Sequence, residues 1–181
     1  MKKIAVYCGT NSGFDPVYET ETIHLGKWLV NNQYELVYGG GVTGLMGVIS
    51  DTVNKYDGHS IGIMPTFLVG KEGANKNVDE FFIVNDMHER KKRIIDLSDA
   101  FIALPGGAGT IEEISEAISW GRIGLHKKPC VFYNINGYYD LLQQQFDHMV
   151  KTGFLSKEDR DAVLFSNSLE DINTFLTHFN S

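Results

Sequence analysis

The amino-acid sequence predicts an α/β fold: a Rossmann-like, doubly wound parallel sheet with helices on both faces, formed by a single domain over residues 1–181. Short apolar runs alternate with longer runs of helical periodicity along the whole chain. Strict alternation of this kind implies parallel strands joined by helical crossovers. Runs such as Phe-Ile-Ala-Leu at residues 101–104 are apolar on both faces, as expected when helices cover both sides of a sheet.

The first half of the chain contains three predicted strands and two predicted helices. Residues 4–8 form an apolar run that is typical of a strand. A helix is predicted over residues 16–30, because Asp15 can cap it and Pro16 suits the first helical position. The other elements of this half are strands over residues 36–38 and 60–64, the second ended by Pro65, and a helix over residues 44–56.

The second half begins with a segment of weaker pattern. Residues 66–77 include Gly70, Gly73 and several polar side chains, and we predict a mobile surface loop there. Further strands are predicted over residues 81–84, 101–104, 130–133 and 163–165, with helices over residues 86–97, 111–123 and 138–151. Ser168 is predicted to cap one last helix.

Composition excludes several classes of function. The net charge is −7 and no run of lysine and arginine is longer than residues 90–93, which argues against nucleic acid as a partner. The two cysteines, Cys8 and Cys130, lie in apolar runs, so a disulfide framework is not indicated and a reducing compartment fits. No apolar stretch reaches membrane-spanning length, and the N-terminal run is too short for a signal peptide. We therefore expect a cytoplasmic protein without a membrane partner.

The most informative stretch is Pro-Gly-Gly-Ala-Gly-Thr-Ile-Glu-Glu at residues 105–113, which follows a predicted strand and opens a predicted helix. Backbone N–H groups at such a turn can point at an anion, and the helix dipole adds partial positive charge there. Gly107 and Gly109 carry no side chain to block the approach of a phosphate. We expect a phosphorylated small molecule as the ligand.

Glu113 has two interpretations that the sequence weighs equally. Thr110 and Glu113 have the spacing of a capping box, in which each side chain satisfies a backbone N–H at a helix start. Alternatively, Glu113 is a catalytic carboxylate at the mouth of the anion site. Helical periodicity places Glu113 at the border of the apolar face, whereas Glu112 points away from it toward solvent.

A second glycine-rich loop follows the strand at residues 36–38. Gly39, Gly41 and Gly44 satisfy the spacing of a dinucleotide fingerprint, but the next predicted strand ends in Met-Pro without the carboxylate that would bind a ribose. A nicotinamide cofactor is therefore not indicated. These glycines either permit a tight turn or contact a ligand, and a second glycine loop at the same sheet edge favours contact.

The basic run at residues 90–93 would ordinarily be a solvated helix face. Its helix leads through a strand directly into the loop at residue 105, so Arg90 can approach that loop and hold a phosphate with its planar guanidinium. His88 and His126 are isolated, which gives no metal-site pattern, and nothing in the sequence supplies Cys8 with a base.

Three ordered motifs resemble the LOG ("Lonely Guy") family of cytokinin riboside 5'-monophosphate phosphoribohydrolases, which are often mislabelled as lysine decarboxylases. They are Pro-Gly-Gly-x-Gly-Thr-x-x-Glu at residues 105–113, Met-His-x-Arg-Lys at residues 87–91, and the glycine loop at residues 39–47. The resemblance implies cleavage of the N-glycosidic bond of a purine or cytokinin riboside 5'-monophosphate, or of AMP, to the free base and ribose 5-phosphate. It also implies a homodimer, no metal and no cofactor; a pyridoxal-type decarboxylase is not indicated, because no lysine stands out as a Schiff-base candidate.

The resemblance also implies the site residues. Catalytic roles fall to Arg90 and Glu113, and substrate contacts to Gly41, Gly44, Met87, Arg90, Lys91, Gly107, Ala108, Gly109, Thr110, Ile111, Glu112, Glu113 and Ser119. Plant members of the family have tyrosine, threonine and a substrate-contacting glutamate where this chain has Ala108, Ser119 and Phe67. A nucleotide-binding protein without hydrolytic activity, such as a sensor, is the alternative; it would retain the glycine loops and Arg90 but would not need Glu113.

Overall fold

The computed structural model describes residues 2–179, and these contain one parallel sheet of seven strands. The strands are β1 Lys3–Tyr7, β2 Glu35–Tyr38, β3 Ser60–Pro65, β4 Glu80–Val84, β5 Ala100–Ala103, β6 Cys130–Tyr133 and β7 Val163–Ser166. The helices are α1 Val17–Asn31, α2 Gly44–Lys55, α3 Thr66–Glu72, α4 Met87–Leu97, α5 Ala108–Arg122, α6 Asp140–Lys151, α7 Lys157–Asp161 and α8 Leu169–His178, with a 3₁₀ turn at Ile135–Gly137.

The strand order is β4-β3-β2-β1-β5-β6-β7, which confirms the predicted doubly wound sheet. One core cluster packs the sheet against α1, α2 and α8 and contains Leu25, Ile49 and Ile172. A second cluster, on α4, α5 and α6, contains Ile94 and Ile114. Helices therefore cover both faces, and the apolar character of strands such as β5 follows from burial on both sides.

The order of the strands reverses between β1 and β5, which are adjacent in the sheet but far apart in the chain. Beyond β1 the chain turns toward one face and α1, and beyond β5 it turns toward the other face and α5. The two loops touch, because the N–H of Gly9 donates to the carbonyl of Pro105 at 3.1 Å. A crevice at such a switch point is where open α/β sheets bind ligands.

The prediction of a loop over residues 66–77 is wrong in its first half, because α3 begins directly after the strand residue Pro65. The hydroxyl of Thr66 donates to the carbonyl of Val84 at 3.1 Å, and Gly73 ends the helix with a φ of 71°. These are tertiary and backbone features that the composition of the segment does not encode.

The start of α5 also differs from the prediction. The helix begins at Ala108 rather than at residue 111, and its N-cap is Gly107 with extended backbone angles. Thr110 therefore lies inside the first turn and cannot cap the helix, so the capping-box interpretation of Thr110 and Glu113 is wrong. By contrast, Ser168 caps α8 as predicted, accepting a hydrogen bond from the N–H of Asp171.

Two other segments depart from the prediction. The helix expected over residues 138–151 begins two residues later, at Asp140, and follows a 3₁₀ turn in which Asn136 adopts a left-handed conformation with φ of 51°. The short helix α7 was not predicted; Ser156 caps it by accepting from the N–H of Asp159. Among residues 2–179, no helix combines the length and the apolar character needed to cross a membrane.

Candidate active site

A cleft of 280 Å³ opens beside the crevice between β1 and β5. It is bounded by the loops that follow β1, β2 and β5 and by the first turns of α4 and α5. Sequence-predicted residues that line it are Met87, Arg90, Gly107, Gly109, Thr110, Glu112 and Glu113. The structure thus brings together two motifs that are separated by a strand in the sequence.

Arg90 lies on the first turn of α4 and is 7% exposed. Its Nη2 lies 3.5 Å from Oε1 of Glu113, and its Nη1 contacts the sulfur of Met87 at 3.6 Å. Among the described residues its buried Nε has no hydrogen-bond partner. A guanidinium carries five donors, and a buried one with so few acceptors is suited to receive an anionic ligand.

Gly39 makes room for this arginine. A Cβ atom at Gly39 would lie 2.1 Å from Nη2 of Arg90, so the guanidinium rests directly against the backbone after β2. Glycine at position 39, the first of the apparent dinucleotide fingerprint, is therefore explained by the close approach of Arg90 and does not require a bound pyrophosphate.

Glu113 extends from the second turn of α5 toward Arg90, and its side chain is 12% exposed. Its charge reaches the end of β1 as well: burial, followed by the negative charge of Glu113, raises the pKa of Tyr7 well above its ordinary value. Burial likewise raises the pKa of the Cys8 thiol, and the charge of Glu113 adds to that effect. Cys8 therefore lines the cleft as a neutral thiol at physiological pH and is not suited to act as a nucleophile.

The N-terminus of α5 opens onto the same cleft. Gly107 and Gly109 line it, and a Cβ atom at either position would meet nothing within 4 Å, so the backbone here is openly accessible. Thr110 is buried, and its hydroxyl packs so closely on Gly106 that a Cβ there would lie 2.1 Å away. The free N–H groups of this 15-residue helix supply donors and partial positive charge.

Lys91 does not line the cleft, although its neighbour Arg90 does. Its Nζ bonds to Oε1 of Glu112 at 2.6 Å and lies 3.2 Å from Oε1 of Glu116, which links α4 to α5. Glu112 is half exposed, in accord with its predicted position on the helix, but its carboxylate is engaged by Lys91.

Sequence reasoning missed part of the lining. Met46 from α2 and Leu68 from α3 join Met87 at the cleft, and Gly9 and Thr10 contribute from the loop after β1. The position of Gly9 and Thr10 at a strand end was a usable signal, because carboxyl ends of neighbouring parallel strands share one edge. Leu68 had no such signal, since it lies in a segment predicted to be a loop.

Five other predicted contact residues lie outside the lining of this cleft, so a role for them in substrate binding stays a prediction. Gly41 forms an isolated bridge with Ala74, and Gly44 packs on Thr10, where a Cβ would lie 2.3 Å from the carbonyl carbon. The remaining three are exposed residues of α5, namely Ala108, Ile111 and Ser119. Ser119 follows Ala108 by eleven positions, roughly 16 Å along the helix axis.

Metal ligands do not converge at this site. Within residues 2–179, no group of three or more histidine, cysteine, aspartate or glutamate side chains is placed to hold a metal ion. The polar groups that line the cleft include the carboxylates of Glu112 and Glu113, the guanidinium of Arg90, backbone N–H groups and threonine hydroxyls.

Comparison with known proteins identifies the family. A family model described as possible lysine decarboxylase matches residues 46–176. A probable cytokinin riboside 5'-monophosphate phosphoribohydrolase, LOG4 of Oryza sativa subsp. japonica, is 41% identical over 177 residues, which cover 98% of this chain and 77% of the relative. The chain belongs to the LOG family. Another relative, the cytokinin riboside 5'-monophosphate phosphoribohydrolase LOG1 of Arabidopsis thaliana, is 42% identical over 95% of this chain and 81% of its own length.

Solved structures show the same LOG-type fold in more distant proteins. The molybdenum cofactor binding protein of the phototrophic bacterium Rippkaea orientalis superposes with a TM-score of 0.76 at 22% identity, covering 99% of this chain and 98% of that protein. The molybdenum cofactor carrier protein of Chlamydomonas reinhardtii gives a TM-score of 0.74 at 18% identity, with coverages of 98% and 97%. At such low identity the likeness concerns the fold alone.

Proposed function

We propose that this protein hydrolyses the N-glycosidic bond of a purine or N6-substituted adenine riboside 5'-monophosphate, releasing the free base and ribose 5-phosphate. The observation that carries the proposal is the placement of Glu113 and Arg90 opposite each other, 3.5 Å apart, beside the open N-terminus of α5. The names of relatives that are about 40% identical over almost the whole chain support it.

The phosphate is assigned to the N-terminus of α5. Backbone N–H groups of Gly107, Ala108 and Gly109, together with the hydroxyl of Thr110, would cradle its oxygens, and Arg90 would add charge-assisted hydrogen bonds. These local donors are required because the protein as a whole carries a net charge of −7. Met46, Leu68 and Met87 provide the apolar part of the cleft, which suits a base.

We place the carboxylate of Glu113 beside the anomeric carbon of the ribose, where the reaction takes place. In the reaction the bond between the anomeric carbon and the base nitrogen breaks, and the oxygen of a water molecule bonds to that carbon. The proton that the water loses balances the proton that the departing base takes up on its nitrogen. Positive charge develops on the ribose during this exchange, and a carboxylate held beside it stabilises that charge or orients the water. Removing one such preorganised group costs about 100- to 1,000-fold in rate.

The experiment that tests the function measures free base by chromatography after incubation with AMP, isopentenyladenosine monophosphate and the two corresponding ribosides. We expect base from the monophosphates only, because a riboside would leave the phosphate donors unpaired and lose about 1.5–3 kcal/mol for each charge-assisted hydrogen bond. Arg90→Ala should lower monophosphate cleavage steeply. Arg90→Lys should recover part of it, since an ammonium retains the charge without the planar fork.

The outcomes separate the competing assignments. Equal cleavage of ribosides and monophosphates by the wild type would refute the phosphate site. An equal loss for both substrate types in Arg90→Ala would place Arg90 at the departing base instead. Tight binding of AMP without any release of base would establish the non-hydrolytic alternative.

Three further features belong to this proposal. We take residues 1–181 to act as one nucleotide-monophosphate-binding hydrolase domain. A homodimer is supported by the exposure of Ile123 and Leu125 after α5, and light scattering of the purified protein tests it. A cytoplasmic location is supported by two free, buried cysteines.

A further inference from the structure

Two cross-helix ion pairs join α4 to α5 side by side. Arg90 faces Glu113 inside the cleft, and the residues adjacent to them in sequence form a second pair, in which Lys91, which does not line the cleft, bonds to Glu112 on its border. Glu116, one turn further along α5, also contacts Lys91. Successive residues of a helix project about 100° apart, which explains why Arg90 lines the cleft and Lys91 does not.

The pair inside the cleft is the looser of the two. Nη2 of Arg90 is 3.5 Å from Glu113, beyond an ordinary charge-assisted hydrogen bond, whereas Nζ of Lys91 is 2.6 Å from Glu112. The Lys91 side chain is only 12% exposed, so water screens its contacts weakly. Of these two contacts between α4 and α5, the one made by Lys91 is therefore the closer.

Resting on the function proposed above, we propose that Lys91 is a positioning residue: it clamps α4 to Glu112 and Glu116 of α5, keeps Arg90 opposite Glu113, and makes no contact with the phosphate. The hydrogen bond to Glu112 also raises the pKa of Lys91, so the clamp stays charged at neutral pH. Without Lys91, the two carboxylates would repel each other, and Oε2 of Glu116 is already buried with no partner among the described residues.

The first test is a double-mutant cycle on base release. Lys91→Met should lower kcat/KM for AMP by about 10- to 100-fold, the scale expected when a catalytic group shifts by about 1 Å. In an Arg90→Ala background the same substitution should cost less than about threefold, because the residue through which it acts is gone. If the two losses multiply, Lys91 acts independently as a ligand and the proposal is overturned.

Two further variants test whether the charge and the position of Lys91 matter. Lys91→Arg retains a cation that can reach both carboxylates, and we expect it to recover most of the activity. Lys92→Met is the matched control, because Lys92 is the neighbouring lysine of α4 and pairs on the surface with Asp96. Lys92→Met should leave kcat/KM within twofold of the wild type; the clamp hypothesis fails if both methionine variants lose activity alike.

A ligand-free readout keeps this inference separate from the proposed function. The Nε–H signal of Arg90 in a ¹⁵N–¹H NMR spectrum, identified by its loss in Arg90→Ala, should shift in Lys91→Met, return in Lys91→Arg and stay in place in Lys92→Met. An unchanged signal in Lys91→Met overturns the clamp whether or not the wild type releases base. Absence of base release with a shifted signal would refute only the proposed function.

Discussion

Replacing Gly39 with alanine adds one methyl group beside Arg90, to which the proposed function assigns a role in the reaction. The new Cβ would lie 2.1 Å from Nη2 of Arg90, whereas ordinary van der Waals contact begins at 3.4 Å. The guanidinium must therefore move away from the loop by about 1.3 Å. The sulfur of Met46 would lie 3.2 Å from the same Cβ, which makes a second tight contact with the new methyl group.

The size of the effect follows from that displacement. A misplacement of about 1 Å in a catalytic group can cost about 100-fold in rate, and we expect kcat/KM for AMP to fall by about that factor in Gly39→Ala. Stability should not fall with it, because the colliding atom is the far end of a flexible side chain. Alanine in place of glycine can even add about 0.4–1 kcal/mol by restricting the unfolded chain.

The assay is base release under saturating and limiting AMP, together with urea unfolding of the same preparations. Gly70→Ala is the matched control, since a Cβ there meets nothing within 4 Å and the residue lies on the exposed side of α3. Gly70→Ala should retain activity within twofold. Wild-type turnover in Gly39→Ala would show that the position of the Arg90 guanidinium is not critical, and unfolding of the variant would show that Gly39 serves the core instead.

Two other predictions concern Glu113 and Cys130. Glu113→Gln should abolish base release while AMP binding by calorimetry stays within about tenfold, since glutamine keeps the shape but cannot offset positive charge; near wild-type turnover would remove Glu113 from the mechanism. Burial raises the pKa of the Cys130 thiol from 9.0 to about 12, so this contribution to stability is complete below pH 9 and is lost as pH rises toward 12. Urea unfolding should show a decline above pH 9 that is shallower in Cys130→Ala, by up to about 1.4 kcal/mol per pH unit, and parallel curves would contradict this assignment.

The parts of the fold that the sequence predicts well are those set by local pattern. Apolar runs predicted the strands to within one or two residues, and the alternation of elements was sufficient to predict a parallel sheet with helices on both faces. The approach of Arg90 to the loop at residue 105 followed from the same logic, because α4 leads into β5 and β5 ends at that loop. The order of the elements along the chain was therefore sufficient to predict that Arg90 lies near this loop.

The parts that it misses depend on contacts between distant segments. The start of α5 at Ala108 goes with close packing of Gly106 against Thr110 and Gly9, and Gly9 lies almost a hundred residues earlier in the chain. The helix α3 is anchored by Thr66 on β4 and supplies Leu68 to the cleft. Lys91 carries the same charge whether it binds a phosphate or a carboxylate, so the sequence does not predict its contacts with Glu112 and Glu116.

The state of Arg90 connects the stability of the fold to its chemistry. A buried cation with one distant carboxylate partner and an unbonded Nε destabilises the ligand-free protein relative to a fully paired arrangement. The guanidinium nevertheless rests directly against Gly39, and the clamp that we propose at Lys91 would hold its helix in place. A phosphate dianion that enters the cleft can then take up donors that are already oriented, so little of the binding energy is lost in rearranging the site. With the phosphate bound as we propose, an uncharged riboside would leave these donors without an acceptor, and the selectivity that we expect for the monophosphate rests on the unbonded Nε of Arg90.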